Sequence, residues 1–266
     1  SGIDKIDKNP LSAEKKDIAI NLSEILNSDI DSYRQANLTV WADSIAQADL
    51  SNLTPDKLKI IEQEIKAGAI PIFMPGKDVQ LATTAEDLTK RFNPVWIKNG
   101  QPQSITGAYF WDHFKKLIEA HAAELVEGVP EKPYISLQKP AQNPDARTTN
   151  KTVPDQLDEF NKIKAERKKS NKANVCIQNP AEYAALQKLF TERLKEVCSS
   201  SNLALNTLNP IDSQTYTRFI NLPFSAVGVV PYAYFGPDGS RLGWTGGVAD
   251  DPNSRSGVRL SVRVEI

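Results

Sequence analysis

Apolar positions follow two periodicities along the chain, and these divide it unevenly. Up to residue 68 the spacing is helical. Ile18, Leu22, Ile25 and Leu26 form a stripe behind Ser12, a residue suited to cap a helix N-terminus. Ile30, Tyr33, Asn37, Val40, Trp41 and Ile45 continue a second stripe. Thr54-Pro55 supplies a cap followed by proline at the first helical position. Leu58, Ile61 and Ile65 then line one face, and Gly68 stops the helix. The pattern predicts an antiparallel helical unit over residues 1–68, packed on an α+β body over residues 69–266. A second candidate boundary lies in the polar 140–155 loop.

In the body the texture alternates. Ile70 to Met74 is a short apolar run closed by Pro75-Gly76. Thr83 and Glu86 stand in capping-box spacing for a short helix. Residues 94–105 read as a hairpin turning at Asn99-Gly100, with Pro102 marking its second arm as an edge strand. Phe110, Phe114, Leu117, Ile118, His121 and Leu125 fall on one stripe and predict a helix over 107–126. Residues 133–139 and 174–178 read as strands, and residues 155–170 as a charged helix. Asn179-Pro180 caps a helix carrying Tyr183, Leu186 and Leu189. A short helix is expected near 213–219 and a strand over 226–235. Gly236-Pro237-Asp238-Gly239 is a turn, and Gly243 to Gly247 continue a glycine-rich loop. Val258 to Ile266 alternates apolar residues against Arg259, Ser261, Arg263 and Glu265, which predicts a half-buried strand with the polar set facing water. The fold class is α+β with a largely antiparallel sheet.

Charge narrows the partners. Lys plus Arg number 32 against 33 for Asp plus Glu, so no global field draws the chain to nucleic acid or an anionic membrane. The basic run Lys162, Lys164, Arg167, Lys168, Lys169 and Lys172 is the largest local asymmetry. It lacks interleaved aromatics and is diluted by Asp158, Glu159 and Glu166, so it reads as a solvated face and only secondarily as a phosphate or nucleic-acid site. No apolar run reaches the length of a membrane span. The polar N-terminal stretch lacks a signal-peptide core, and the expectation is a cytoplasmic protein.

Catalytic signatures are sparse. There is no phosphate loop, no G-x-G-x-x-G and no G-x-S-x-G. Cys176 and Cys198 form no C-x-x-C pair, and Cys176 sits in a strand pattern where cysteine acts as a small hydrophobe. Neither a metal nor a cofactor is called for. His121 lies on a buried stripe, and Asp112-His113 with Asp250 or Asp251 is the only carboxylate–histidine candidate for an enzyme site.

The most distinctive segment runs Arg241-Leu242-Gly243-Trp244-Thr245-Gly246-Gly247, then a polar stretch through Asp250, Asp251, Asn253 and Arg255, then Gly257-Val258-Arg259-Leu260. This ending resembles that of C-type-lectin-like domains of the formylglycine-generating-enzyme-like group, whose chains close on a glycine- and tryptophan-bearing loop and a Gly-Phe-Arg-Leu strand. Val258 stands where that pattern has Phe. The resemblance is confined to this C-terminal stretch. The family's Leu-Pro-Thr-x-x-Glu-Trp signature, cysteine pair and calcium ligands have no counterparts. The resemblance therefore implies a scaffold without an activity, in which the final strand pairs with an early strand, here Tyr134 to Lys139. Together these features predict a non-enzymatic binding protein that uses the 236–257 loop, with Arg241, Trp244, Asp250, Asp251, Asn253 and Arg255 as contacts to a protein or small-ligand partner.

Overall fold

Three helices open the chain as the apolar spacing predicts: α1 (Ala13–Gln35), α2 (Thr39–Ile45) and α3 (Pro55–Lys66). The computed structural model describes residues 13–83, 95–98, 101–104, 108–110, 112–141, 143–189, 207–208, 212, 215–220, 228–235 and 242–266. Leu22, Ile25, Leu26 and Tyr33 form the buried side of α1. The turn into α2 places Asn37 at φ 57°, a left-handed conformation that asparagine tolerates. Trp41 of α2 meets the Tyr33 ring edge-on at 5.3 Å, and its indole N–H donates to Thr83 Oγ1 at 2.7 Å. Thr54 caps α3, its hydroxyl accepting from the Lys57 N–H.

These helices pack on a four-stranded antiparallel sheet of order β1-β5-β12-β6, formed by β1 (Ile70–Met74), β5 (Tyr134–Gln138), β12 (Leu260–Glu265) and β6 (Val175–Ile177). The expected pairing of the final strand is present, with Val262 opposite Leu137 and Arg263 opposite Ser136. The edge strand β1 is covered by α1. Asp29 Oδ2 accepts the Phe73 N–H at 2.9 Å, and the Tyr33 hydroxyl donates to the Phe73 carbonyl at 2.8 Å. Two side chains one helical turn apart thus satisfy backbone groups that an open edge would offer to another strand.

A second sheet has the order β11-β8-β9-β10-β4. Its strands are β4 (Ala108–Phe110), β8 (Tyr216–Arg218), β9 (Val229–Phe235), β10 (Leu242–Val248) and β11 (Ser256–Gly257). β4 runs parallel to β10 and β11 parallel to β8, while β8, β9 and β10 are antiparallel. A small third sheet holds the predicted hairpin, β2 (Val95–Lys98) and β3 (Gln101–Ser104), with β7 (Thr207–Leu208) beside β2. Pro102 is on the edge strand, where its missing N–H costs no ladder bond.

Among the described residues the remaining α-helices are α4 (Lys77–Leu81), α5 (Asp112–Ala120), α6 (Ala122–Leu125), α7 (Val153–Asn171) and α8, residues 180–189. Asn179 and Glu182 form a reciprocal capping box at the start of α8. Asn179 Oδ1 accepts the Glu182 N–H at 2.8 Å, and Glu182 Oε2 accepts the Asn179 N–H at 3.1 Å.

Four expectations are corrected. The helix predicted over 107–126 begins at Asp112, because residues 108–110 are taken up as a strand beside β10. Residues 216–218 are strand, not helix, since they pair with both β9 and β11. Gly243 to Gly247 lie in the middle of β10 and are not loop. The final strand is buried on both faces, so Arg259, Ser261 and Arg263 do not face water. Glu86 of the expected capping pair and the Asn99-Gly100 turn lie outside the described residues.

Candidate ligand-binding face

The register of the second sheet gathers three tyrosines on one face. Tyr216 of β8 lies opposite Tyr234 of β9, which lies opposite Gly243 of β10. One step along, Arg218, Tyr232 and Thr245 are aligned in the same way. Side chains on opposed residues share a face, so Tyr216, Tyr232 and Tyr234 stand together. All three are half-buried. Their ring centroids are 5.4 Å apart for Tyr216–Tyr232, 5.4 Å for Tyr216–Tyr234 and 6.2 Å for Tyr232–Tyr234, at interplanar angles of 77°, 61° and 45°. Two pairs are edge-on and the third is tilted, which suits the ring quadrupoles and means that the rings do not form one flat surface.

Two glycines of β10 make room for these rings. A Cβ on Gly243 would stand 2.6 Å from Tyr234 Cε1, and one on Gly247 would stand 2.6 Å from Tyr232 Cε1. The rings therefore lie down on β10, which is the reason a glycine-rich stretch can be a strand here.

Arginines border the cluster on two sides. The exposed Arg255 guanidinium sits 5.8 Å from the centre of the Tyr216 ring, in cation–π range. Asn253 fixes that segment by accepting the Arg255 N–H at 2.8 Å. Arg218 is buried, donating to the carbonyls of Lys151 at 3.1 Å and Asp251 at 2.7 Å. Burial lowers its pKa below the usual arginine value, against the opposing pull of Asp251. Burial, then the neighbouring Tyr216 and Tyr234, push the Tyr232 phenol above its ordinary range, so it stays a neutral donor.

The predicted contacts separate across the sheet. Arg255 and Asn253 border the tyrosine face, and Asp250 and Asp251 are exposed in the preceding turn. Trp244 is on the opposite face and is 0% exposed. It meets Tyr183 edge-on at 5.4 Å and stacks on Phe219 at 5.8 Å. Its expected role as an exposed contact is corrected: the period of two that puts tyrosines on one side of the sheet puts Trp244 in the core. Arg241 lies outside the described residues.

A second polar constellation was hidden from the sequence. Glu182, at 0% exposure, accepts Arg263 Nε at 2.8 Å and Nη2 at 3.0 Å. It also accepts the Tyr134 hydroxyl at 2.9 Å and the Ser136 hydroxyl at 3.2 Å. Burial alone would raise its pKa, but Arg263 and the surrounding donors together hold it below the usual glutamate range. Burial likewise disfavours the Arg263 charge, and Glu182 more than restores it. A parallel group centres on Asp212, which accepts from Arg259 Nη2 at 2.8 Å, Tyr183 at 2.9 Å, Thr215 at 2.7 Å and Thr217 at 2.5 Å. Asp212 holds this position at φ 59°. The alternation of residues 258–266 carried the signal for both arginines. It fixes which side chains share a face, but not whether that face meets water or a helix. All four charged residues are buried, and both groups read as internal scaffolding that sets the sheets in place.

The other candidates stand apart from the tyrosine face. Asp112 is exposed at the start of α5, and the His113 side chain lies outside the described residues. His121 is half-buried, with Nδ1 3.5 Å from Glu124. Cys176 is a free thiol whose pKa burial raises. Among the described residues no group of three or more His, Cys, Asp or Glu could hold a metal ion, and no helix is long and apolar enough to cross a membrane. On α7, Lys162, Lys164, Lys168 and Lys169 are exposed, while Arg167 turns inward to Glu64. Comparison with protein-family models, curated proteins and solved structures finds no match.

Proposed function

We propose that the chain is a non-enzymatic binding protein whose partner docks on the tyrosine face, bordered by the turn that carries Asp250, Asp251, Asn253 and Arg255. The observation that carries this reading is the clustering of three half-buried tyrosines beside an exposed arginine on a rigid sheet. Tyrosine and arginine dominate binding hot spots, because a large ring or a planar guanidinium buries much area at low entropic cost. The angles between the rings favour a protein or peptide, whose side chains can pack on rings of differing tilt, over a ligand that needs one flat stacking platform.

The test is a selection of random peptides on the wild-type chain, followed by binding of the enriched peptides to a Tyr216→Ala/Tyr232→Ala variant. Half-buried tyrosines at the face should leave the variant folded, as judged by its circular dichroism. Enriched peptides that bind the wild type and lose roughly 30-fold or more on the variant, about 2 kcal/mol, support the reading. Peptides that bind both equally well, or no enrichment at all, would overturn it.

A further inference from the structure

In the first sheet, α3 and α7 lie over one face and leave a groove of about 230 Å³ between them. Its floor is a row of aliphatic side chains at one level of the sheet, because Leu137 and Val175 both pair with Val262. Glu64 from α3 and Arg167 from α7 form an ion pair that lines the groove. Glu64 is only 3% exposed. Among the described residues both bonds to its side chain fall on Oε1, from Arg167 Nη2 and from Asn171 Nδ2 at 3.4 Å. Oε2 receives neither of these bonds. Arg167 reaches Glu64 through Nη2, leaving the rest of its fork, and its side chain is 30% exposed. Also in the lining, Arg147 pairs with Glu166 at 2.8 Å while it holds Glu159 at 2.6 Å, and Lys139 is exposed.

We propose that this groove binds a small free aliphatic α-amino acid. The site sets a carboxylate and a guanidinium side by side at the border of an apolar floor, and an α-amino acid sets an ammonium and a carboxylate side by side on an aliphatic body. The ammonium donates to Glu64 Oε2, the carboxylate accepts from the unused edge of Arg167, and the side chain lies on Leu137, Val175 and Val262. A ligand carrying one charge alone would leave Glu64 Oε2 or the Arg167 edge without a counterpart after water is displaced, which weakens its binding. The volume is below that of pockets for drug-sized ligands, in keeping with a molecule of this size.

The experiment is a titration of the methyl-labelled full chain with L-leucine, followed by nuclear magnetic resonance. Isocaproate and isoamylamine, which lack the ammonium and the carboxylate respectively, are titrated in parallel. The expected result is saturable shifts of the Leu137, Val175 and Val262 methyl signals with leucine. Both analogues should bind roughly tenfold or more weakly, as should an Arg167→Met variant, the loss of about one charge-assisted hydrogen bond. The analogue comparison uses wild-type protein and decides the matter even if the variant does not fold. Absence of saturable shifts with leucine, or an equal response to either analogue, would overturn the proposal.

Discussion

Gly243 and Trp244 are neighbours on β10 that point to opposite faces, and substitution at each reports a different property. A methyl at position 243 meets only the outer part of the Tyr234 ring, which can swing away. Gly243→Ala should therefore cost no more than about 1–2 kcal/mol in stability while it weakens partner binding, measured by thermal melting beside calorimetric titration. Trp244→Ala opens a hole against Tyr183 and Phe219. It should lower unfolding free energy by about 3–5 kcal/mol in urea denaturation. A Trp244→Ala chain with unchanged stability would show that the indole is not a core group. Glu182 gives a third residue-level expectation. Its folded pKa is depressed, so the stabilisation it contributes is present above its unfolded pKa of about 4.3 and is lost as pH falls through the lower folded value. Glu182→Gln, which leaves Arg263 buried without its counter-charge, should be less stable at neutral pH by about 3–5 kcal/mol and lose less further stability in that acid window. Chemical denaturation across pH measures both effects.

At the scale of elements, the segments whose local chemistry agrees with their surroundings were readable. Asn179 caps α8, Thr54-Pro55 starts α3, and residues 134–138 and 260–265 are the strands their local pattern predicts. The errors share a physical cause, which is context supplied by a distant strand. Residues 108–110 become a strand because β10 is beside them, and Gly243 and Gly247 hold strand geometry because tyrosine rings from β9 fill the space their missing side chains leave. Neither neighbour is visible in a local window. The tyrosine face was missed for the same reason. Tyr216 is distant in sequence from Tyr232 and Tyr234, and only the β8–β9 register joins them. The Arg255 end of the face was readable as an exposed polar turn. The contact between α1 and β1 supplies a test at this level. Asp29→Ala leaves the Phe73 N–H unsatisfied in a buried place and should cost about 1–3 kcal/mol. Hydrogen exchange at Phe73 should accelerate in that variant more than at Leu137, which lies in the interior strand β5.

For the molecule as a whole, the order of strands in the first sheet has a kinetic meaning. β12 lies between β5 and β6, yet it follows both in the chain. Until it arrives, β5 and β6 each have an unpaired side, and Glu182 waits without Arg263. Just before β12, Ser256 and Gly257 pair with β8, so the same passage of chain also closes the second sheet. Assembly of both sheets thus depends on closing long loops late, which slows folding and prolongs the life of species with open strand edges. Insertion of that single strand should therefore mark the step after which aggregation during refolding falls, a dependence that light scattering along a refolding time course would follow.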